Sequence, residues 1–172
     1  MMRALRLLPW LLATLVVAAA VHVASVWYLP HLVMTRAMAR MGAVNAIHHG
    51  ARATAAIHGV VRPSPDLLYS VCPFDVSERP LHVIAPVPAG TYWSVSVFDD
   101  ATNNIFVRND SQTKGTVDFF IAGPHQDKEP AGEVVHAPGV RGLVVFRTLV
   151  NDEHRFAELD AARRKAACVP YQ

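Results

Sequence analysis

The first 30 residues of the chain are almost continuously apolar. The segment Leu7–Leu29, LLPWLLATLVVAAAVHVASVWYL, contains no Asp, Glu, Lys or Arg. A helix needs about 20 apolar residues to cross the hydrocarbon core of a bilayer. Trp10, Trp27 and Tyr28 lie near the ends of the segment, where aromatic rings prefer the headgroup layer. The pattern predicts an N-terminal transmembrane anchor over residues 1–30, with the lipid bilayer as one partner.

Two other structures fit the same segment. A cleaved signal peptide would use Arg3 and Arg6 as its basic region and Ala18–Ala20 or Val23–Ser25 as its cleavage site. A core helix buried in a soluble domain is the third alternative. The apolar run is longer than the roughly 7–15 residues of a signal-peptide core, and this favours the retained anchor.

The next stretch, residues 31–58, changes to an amphipathic pattern with arginines among the apolar positions. The spacing predicts a helical stalk that continues to about His48 and is followed by a second short helical piece. A basic amphipathic stretch beside a membrane span could lie on anionic lipid, or it could pack on the domain with its arginines in water. Its apolar positions are Leu32, Val33, Met34, Met38, Met41, Val44, Ile47 and Ile57.

Beyond Gly59 the pattern alternates with the period of two that is typical of strands. The clearest strand is TYWSVSVFDD, and further short runs rich in Val, Ile and Phe are separated by Pro, Gly, Asn and Asp. Such spacing predicts an antiparallel β-sandwich or open barrel over residues 59–172. Near the end, Asn151 or Asp152 can cap a C-terminal helix that Pro170 would stop. The fold class is therefore mainly β with flanking helices.

Charge and cysteine content restrict partners and location. The chain has 16 Lys+Arg and 14 Asp+Glu, so its net charge is +2, and Arg3 with Arg6 supplies that surplus. No large basic field exists for a nucleic acid, and none is predicted to bind. The chain has two cysteines, Cys72 and Cys168, and this even number suits one disulfide in an oxidising compartment. Two buried thiols are the alternative.

The common catalytic and metal-binding motifs do not occur in the sequence. The positions of His48, His49 and His58 do not favour a shared metal, and DDATNN lacks the spacing of a calcium loop, so both groups are interpreted as surface or turn residues. No spacing supports a Cys72 nucleophile with His82 or His136 as its base. We predict neither a metal nor a cofactor.

One short stretch, RPSPDLLYSVCPFDVSERP, carries the best candidates for chemistry. Pro63 and Pro65 fix the backbone and lead the chain into a strand. Arg62, Asp66 and Tyr69 could converge as a polar cluster for catalysis. We favour a structural role, with Asp66 and Tyr69 buried and hydrogen-bonded.

The same stretch resembles the bacterial domain-of-unknown-function family DUF1254. The resemblance rests on Pro-x-Asp-x-x-Tyr-Ser at Pro63–Ser70, Tyr-Trp-Ser at Tyr92–Ser94, and the Asp at Asp99. It covers roughly residues 59–168 and is closest to short membrane-anchored members. In longer members Asn and Thr flank the Asp, where this chain has Pro65 and Leu67. The resemblance implies a β-rich domain and a partner membrane protein of the companion family DUF1214, but it implies no reaction.

Three functional hypotheses follow. The first is a single-pass protein of a bacterial inner membrane, with a periplasmic non-catalytic domain that assembles with a partner membrane protein. The second is an enzyme, or half of one, that acts on an envelope metabolite through Arg62, Asp66 and Tyr69. The third is a β domain that binds a lipid or small molecule through Tyr92, Trp93 and Phe98, although aromatic residues in strands more often belong to the core.

Overall fold

The computed structural model of the chain describes residues 2–54, 63–124, 126 and 130–172. A long N-terminal helix precedes a sandwich of two β-sheets, and a short helix lies near the C-terminus. This architecture confirms the predicted fold class. The elements are α1 (Met2–Met41), β1 (His48–His49), β2 (Leu67–Asp75), β3 (Leu81–Val87), β4 (Trp93–Asp99), β5 (Asn104–Asn109), β6 (Gly115–Ala122), β7 (Val134–His136), β8 (Arg141–Leu149), α2 (Phe156–Arg163) and β9 (Ala167–Pro170).

Helix α1 is continuous through Pro30 and has two different environments. Large apolar side chains between Leu7 and Leu29 are 52–73% exposed. Further along the same helix Met34 and Ala37 are buried, and the helix contacts β8. The end of α1 is therefore part of the folded domain, whereas its apolar segment projects beyond it.

The prediction of a helix to His48 was wrong. Helix α1 ends at Met41, and Gly42 follows with φ +91°, a left-handed conformation that favours glycine. The Asn45 side chain then bonds both backbone groups of Asp75, at 2.9 Å each. These bonds to β2 replace those that a longer helix would make. The second helical piece does not form at 50–54, and the rest of that prediction lies outside the described residues.

Sheet A has the strand order β1-β2-β8-β4-β5, and all its neighbours are antiparallel. Alternate residues of its central strands face the second sheet, among them Val95 and Val97 of β4, which are fully buried. Sheet B has the order β7-β6-β3-β9 and packs Val83, Phe119 and Ile121 into the same core. The two sheets thus share one hydrophobic interior.

The C-terminal region contains the predicted helix and one strand that was not predicted. Asp152 caps a single 3-10 turn by accepting the His154 N–H at 2.9 Å, and α2 follows directly. Leu159 of α2 is fully buried in a small cluster with Leu68. Pro170 does not stop this helix, because the chain turns after Arg163 and pairs as β9 with β3.

A disulfide bond connects the two sheets through the core. Cys72 lies on β2 of sheet A and Cys168 on β9 of sheet B, and their sulfur atoms are bonded. Both residues are buried, at 0% and 2% exposure. The bond holds the short edge strand β9 in place and leaves no thiolate at Cys72 for nucleophilic chemistry.

Candidate functional site

The proline-rich segment reaches β2 through a hydrogen-bonded turn. The Leu67 N–H bonds the Ser64 carbonyl, and the Ser64 N–H donates to the Tyr69 hydroxyl oxygen at 3.1 Å. Tyr69 is half-buried. Its hydroxyl group holds the turn that precedes β2, the strand to which Tyr69 belongs.

Asp66 does not have the environment that we expected. Its backbone carbonyl accepts the Val150 N–H at 2.8 Å, while its side chain is exposed. The prediction that Asp66 is buried was therefore wrong, because the main chain of the turn makes the structural contact and leaves the carboxylate in water. Arg62 lies outside the described residues, so convergence of Arg62, Asp66 and Tyr69 stays a prediction.

A polar cluster that the sequence did not indicate lies between α2 and β2. Its centre is Arg163, which is only 5% exposed. Its guanidinium donates to the Asp160 carboxylate at 2.6 Å, the Tyr69 carbonyl at 2.8 Å and the Gly50 carbonyl at 2.9 Å. The cation thus joins three segments of the chain, and its burial is compensated by one carboxylate and two carbonyl groups.

A serine and a histidine within this cluster have the separation of a nucleophile and its base. His49 Nδ1 lies 2.8 Å from Ser70 Oγ. Burial lowers the pKa of the His49 imidazole, and the nearby Arg163 and Arg164 guanidinium groups lower it further, with Asp160 opposing them. Ser70 is only 1% exposed, however, so a substrate cannot reach its hydroxyl. The pair stabilises the β1–β2 junction.

The three aromatic candidates for ligand binding are separated by the strand alternation. Trp93 is 2% exposed and packs against Phe146 in the core. Tyr92 is 44% exposed and Phe98 is half-buried, and both lie on the outer face of sheet A. Of the three, Tyr92 presents a large exposed ring.

The acidic run after β4 forms a turn. Asp99 is buried, and its carboxylate accepts the N–H groups of Ala101 and Asn103 and the Asn103 side-chain amide, at 2.8–3.0 Å. These bonds use the carboxylate inside its own loop. Within the described part of the chain, no three His, Cys, Asp or Glu side chains are grouped as metal ligands would be. His58 lies outside that part.

The residues that sequence reasoning missed are arginines. Arg163 follows Leu159 by four positions, and this spacing places both on one face of α2. That was the available signal for its burial, but a basic residue in the last turn of a helix is usually exposed. Arg147 was missed for a similar reason, since it occupies an outer-face position of β8 beside apolar neighbours.

Comparison with known proteins gives a family and a fold. Residues 44–170 match the family described as protein of unknown function, DUF1254. No curated protein matches the chain. The fold is similar to that of the VPA0106 protein from Vibrio parahaemolyticus, with a TM-score of 0.64 and 18% identity over 87% of this chain and 38% of that one. A putative uncharacterised protein from Burkholderia cenocepacia gives a TM-score of 0.49 and 15% identity over 74% and 34%.

The chain is shorter than the Vibrio protein and spans 38% of its length. The family match, in contrast, extends from just after α1 into β9 and covers well over half of the chain. The chain therefore belongs to the DUF1254 family.

Proposed function

We propose that this protein is a single-pass, membrane-anchored module of the bacterial envelope that binds a partner membrane protein and is not itself catalytic. In this proposal the span crosses the inner membrane and the β-sandwich lies on the periplasmic side. The partner is a protein of the companion family DUF1214 that the sequence resemblance implied.

The continuity of α1 carries the proposal. The helix is long and apolar enough to cross a bilayer, and it joins its exposed apolar segment to the folded domain without a break. The buried Met34 lies five positions after Leu29, which is a rise of about 8 Å along a helix. A domain fixed to the anchor at this distance is held at the membrane surface.

Two further observations agree with this location and with assembly. The Cys72–Cys168 disulfide is of a kind that persists outside the reducing cytosol. The chain also spans 38% of a longer protein with a similar fold, so a second chain can supply what the longer protein carries itself. The strand β5 is an edge of sheet A that such a partner could contact.

Anchoring is tested by membrane fractionation of the full-length protein. We expect it to remain in membranes after alkaline carbonate washing and to leave them only with detergent. The double variant Val16→Arg/Val17→Arg places two charges in the span, each costing about 2.5–3.5 kcal/mol at the centre of a membrane helix, and it should not insert. Thr35→Arg, on the exposed side of α1 beyond the span, is the control. Wild-type protein that is released by carbonate would contradict the proposal.

Assembly is tested by photo-crosslinking in intact membranes. A photoreactive residue replaces Val107, which is 47% exposed on β5. A control replaces the exposed Glu158 on α2. We expect one discrete adduct with a DUF1214 protein from Val107 and none from Glu158. Equal labelling of many proteins from both positions would count against a specific partner.

A further inference from the structure

The part of α1 that follows the apolar segment has two different sides. Met34 and Ala37 are buried, at 5% and 8% exposure, where the helix meets the folded domain. Val33, Arg36 and Arg40 are exposed, and their spacing of three and four residues places them on one face of the helix. We call these three residues the arginine face. The described part of the domain leaves this face uncovered.

The two positive charges of the arginine face are not compensated within the described part of the chain. Neither Arg36 nor Arg40 makes an ion pair or a side-chain hydrogen bond there. The sequence contains no acidic residue before Asp66. Asp75 lines a groove beside this part of α1, but its carboxylate already accepts a hydrogen bond from Arg141 at 2.9 Å. The face therefore presents two cations that have no counter-ion from the protein.

The C-terminus of the helix explains only one of these cations. Arg40 lies in the last turn of α1, where the partial negative charge of the helix end favours a basic residue. That effect falls off within one turn, and Arg36 lies five positions before the end at Met41. Arg36 therefore needs a different explanation.

The distance from the apolar segment places the arginine face at the level of lipid headgroups. The exposed rings of Trp27 and Tyr28 mark the end of the segment, since such rings prefer the membrane interface. Arg36 lies seven positions after Leu29, a rise of about 10 Å along a helix. The headgroup layer on each side of a bilayer is about 5–7 Å thick. The potential of an anionic surface extends about 8–10 Å further, which includes the height of Arg40.

Helix geometry also directs these side chains towards the apolar segment. In an α-helix each Cα–Cβ bond is tilted towards the N-terminus, and long side chains cover the preceding turn. The N-terminal side of α1 is the apolar segment, so Arg36 and Arg40 lean towards it. Val33 lies one turn before Arg36 and is 44% exposed, and it gives the alkyl part of Arg36 an apolar surface to follow. The guanidinium of Arg36 can thus reach the headgroup layer.

From this arrangement we propose that the arginine face binds the phosphate groups of anionic phospholipids at the surface of the membrane that α1 crosses. The inference rests on the membrane anchoring in the proposed function and adds the class of lipid that surrounds the anchor. A guanidinium can bind two phosphate oxygens at once, and its charge favours a lipid with a net negative charge over a zwitterionic one. The folded domain packs on a different side of α1, so lipid and domain do not compete for the helix.

The experiment is an NMR titration of the full-length protein in phosphatidylcholine nanodiscs that contain an increasing fraction of phosphatidylglycerol, at constant ionic strength. The arginine Nε–H signals report binding. We expect the signals of Arg36 and Arg40 to shift and to saturate. Arg36→Gln should raise the fraction of phosphatidylglycerol at half-saturation of the Arg40 signal about fivefold, since one arginine near an anionic surface contributes a factor of about this size.

A matched control removes one exposed cation elsewhere on the domain. Lys114 is exposed in the turn between β5 and β6, and the strand register places this turn at the end of the sandwich away from Arg141. Lys114→Gln should leave the titration of Arg36 and Arg40 unchanged. The melting temperature of the domain should stay the same in Arg36→Gln, since Arg36 makes no bond to the protein. A structural role for Arg36 would lower that melting temperature without changing the response to lipid.

A last comparison uses inorganic phosphate in nanodiscs of phosphatidylcholine alone. We expect no saturable shift there, because an exposed pair of arginines needs the high local concentration of phosphate at a lipid surface. A saturable response to inorganic phosphate would overturn the assignment to lipid. If neither lipid nor phosphate shifts the two signals while the protein stays in the nanodiscs, the proposal is wrong and membrane anchoring is unaffected. Protein that does not stay in the nanodiscs would refute the anchoring and this proposal together.

Discussion

At the scale of single residues, a buried arginine with several hydrogen-bond partners holds three segments of the domain together. This residue is Arg163, and its guanidinium bonds Asp160 and the carbonyl groups of Gly50 and Tyr69. These bonds connect α2, β2 and the segment after β1. Removing the cation takes this donor from the Gly50 carbonyl and leaves Asp160 with Arg164 and the Tyr69 carbonyl with the Gly50 N–H as their remaining partners.

Arg163→Met should therefore destabilise the protein by at least about 2 kcal/mol, because hydrogen bonds to a charged group contribute roughly 1.5–3 kcal/mol each. The measurement is denaturant unfolding of the detergent-solubilised chain. Arg164→Met is the matched control, since Arg164 bonds the same Asp160 at 2.8 Å from an exposed position. It should cost about 1 kcal/mol or less. Equal losses in the two variants would contradict the central role of Arg163.

A second prediction at this scale concerns pH. The pKa of His49 is lowered in the folded state, first by burial and then by Arg163 and Arg164. The unfolded chain then binds more protons as the pH falls through the ordinary histidine value of about 6.5. The stability is therefore present above this value and decreases as the pH falls below it.

His49→Gln keeps a hydrogen-bonding side chain beside Ser70 but cannot be protonated. We expect the melting temperature of this variant to fall less than that of the wild type between pH 7 and pH 5.5, where carboxylates are still ionised. The readout is the difference between the two curves of melting temperature against pH. Parallel curves would show that His49 is not responsible for the pH dependence.

At the scale of elements, the sequence predicted the long strands and missed the short strands β1 and β9. The alternation in β4 is strong because Trp93, Val95 and Val97 face the core. The strand β1 has only two residues, and β9 has four residues after a helix. Segments this short have no measurable period, and their conformation comes from pairing with β2 and β3.

The residues of the candidate site also differ in how far the sequence predicts them. Tyr69 could be identified because it belongs to a recognisable segment, and its half-buried position follows from the turn that it braces. The hydrogen bond from Arg147 to the Ser96 hydroxyl could not be predicted, because it depends on the register between β8 and β4. Those strands are more than 40 residues apart in the sequence, and their register is set by packing in three dimensions.

The contact between β4 and β8 depends on one glycine. A Cβ atom at Gly142 would lie 2.1 Å from the Phe98 carbonyl oxygen and 2.5 Å from the Phe74 ring. Gly142→Ala should therefore separate the strands and destabilise the protein by about 1–3 kcal/mol. Gly50→Ala is the control, since its Cβ would meet the Tyr69 carbonyl at an ordinary 3.5 Å. Thermal unfolding distinguishes the two, and an unchanged melting temperature for Gly142→Ala would refute the packing argument.

The disulfide gives the other prediction at this scale. It closes a loop with a sequence separation of 96 residues. In the chain-entropy model such a cross-link stabilises a protein by about 4–5 kcal/mol. The double variant Cys72→Ala/Cys168→Ala should lose stability of this order and become insensitive to reductant, whereas the wild type should lose stability when it is reduced. Denaturant unfolding with and without reductant measures both effects, and equal stability of variant and wild type would contradict the prediction.

At the scale of the whole molecule, the distinctive feature is the shared helix. Helix α1 contributes Met34 and Ala37 to the folded domain and also contains an exposed apolar segment that is long enough to cross a membrane. The apolar segment and the sandwich are thus connected by one continuous helix, whose other end contacts β8 of sheet A. In the proposed function, this connection holds the domain in a fixed position for the partner membrane protein.

The measurement that tests this most directly is native mass spectrometry of the full-length protein, released gently from its own membranes. We predict the mass of the chain together with one stoichiometric second protein, identified as a DUF1214 protein by sequencing in the same experiment. Val16→Arg/Val17→Arg should be absent from the membrane fraction. A chain that leaves its membranes alone, with no second protein at any detergent concentration that preserves its fold, would contradict the proposed assembly.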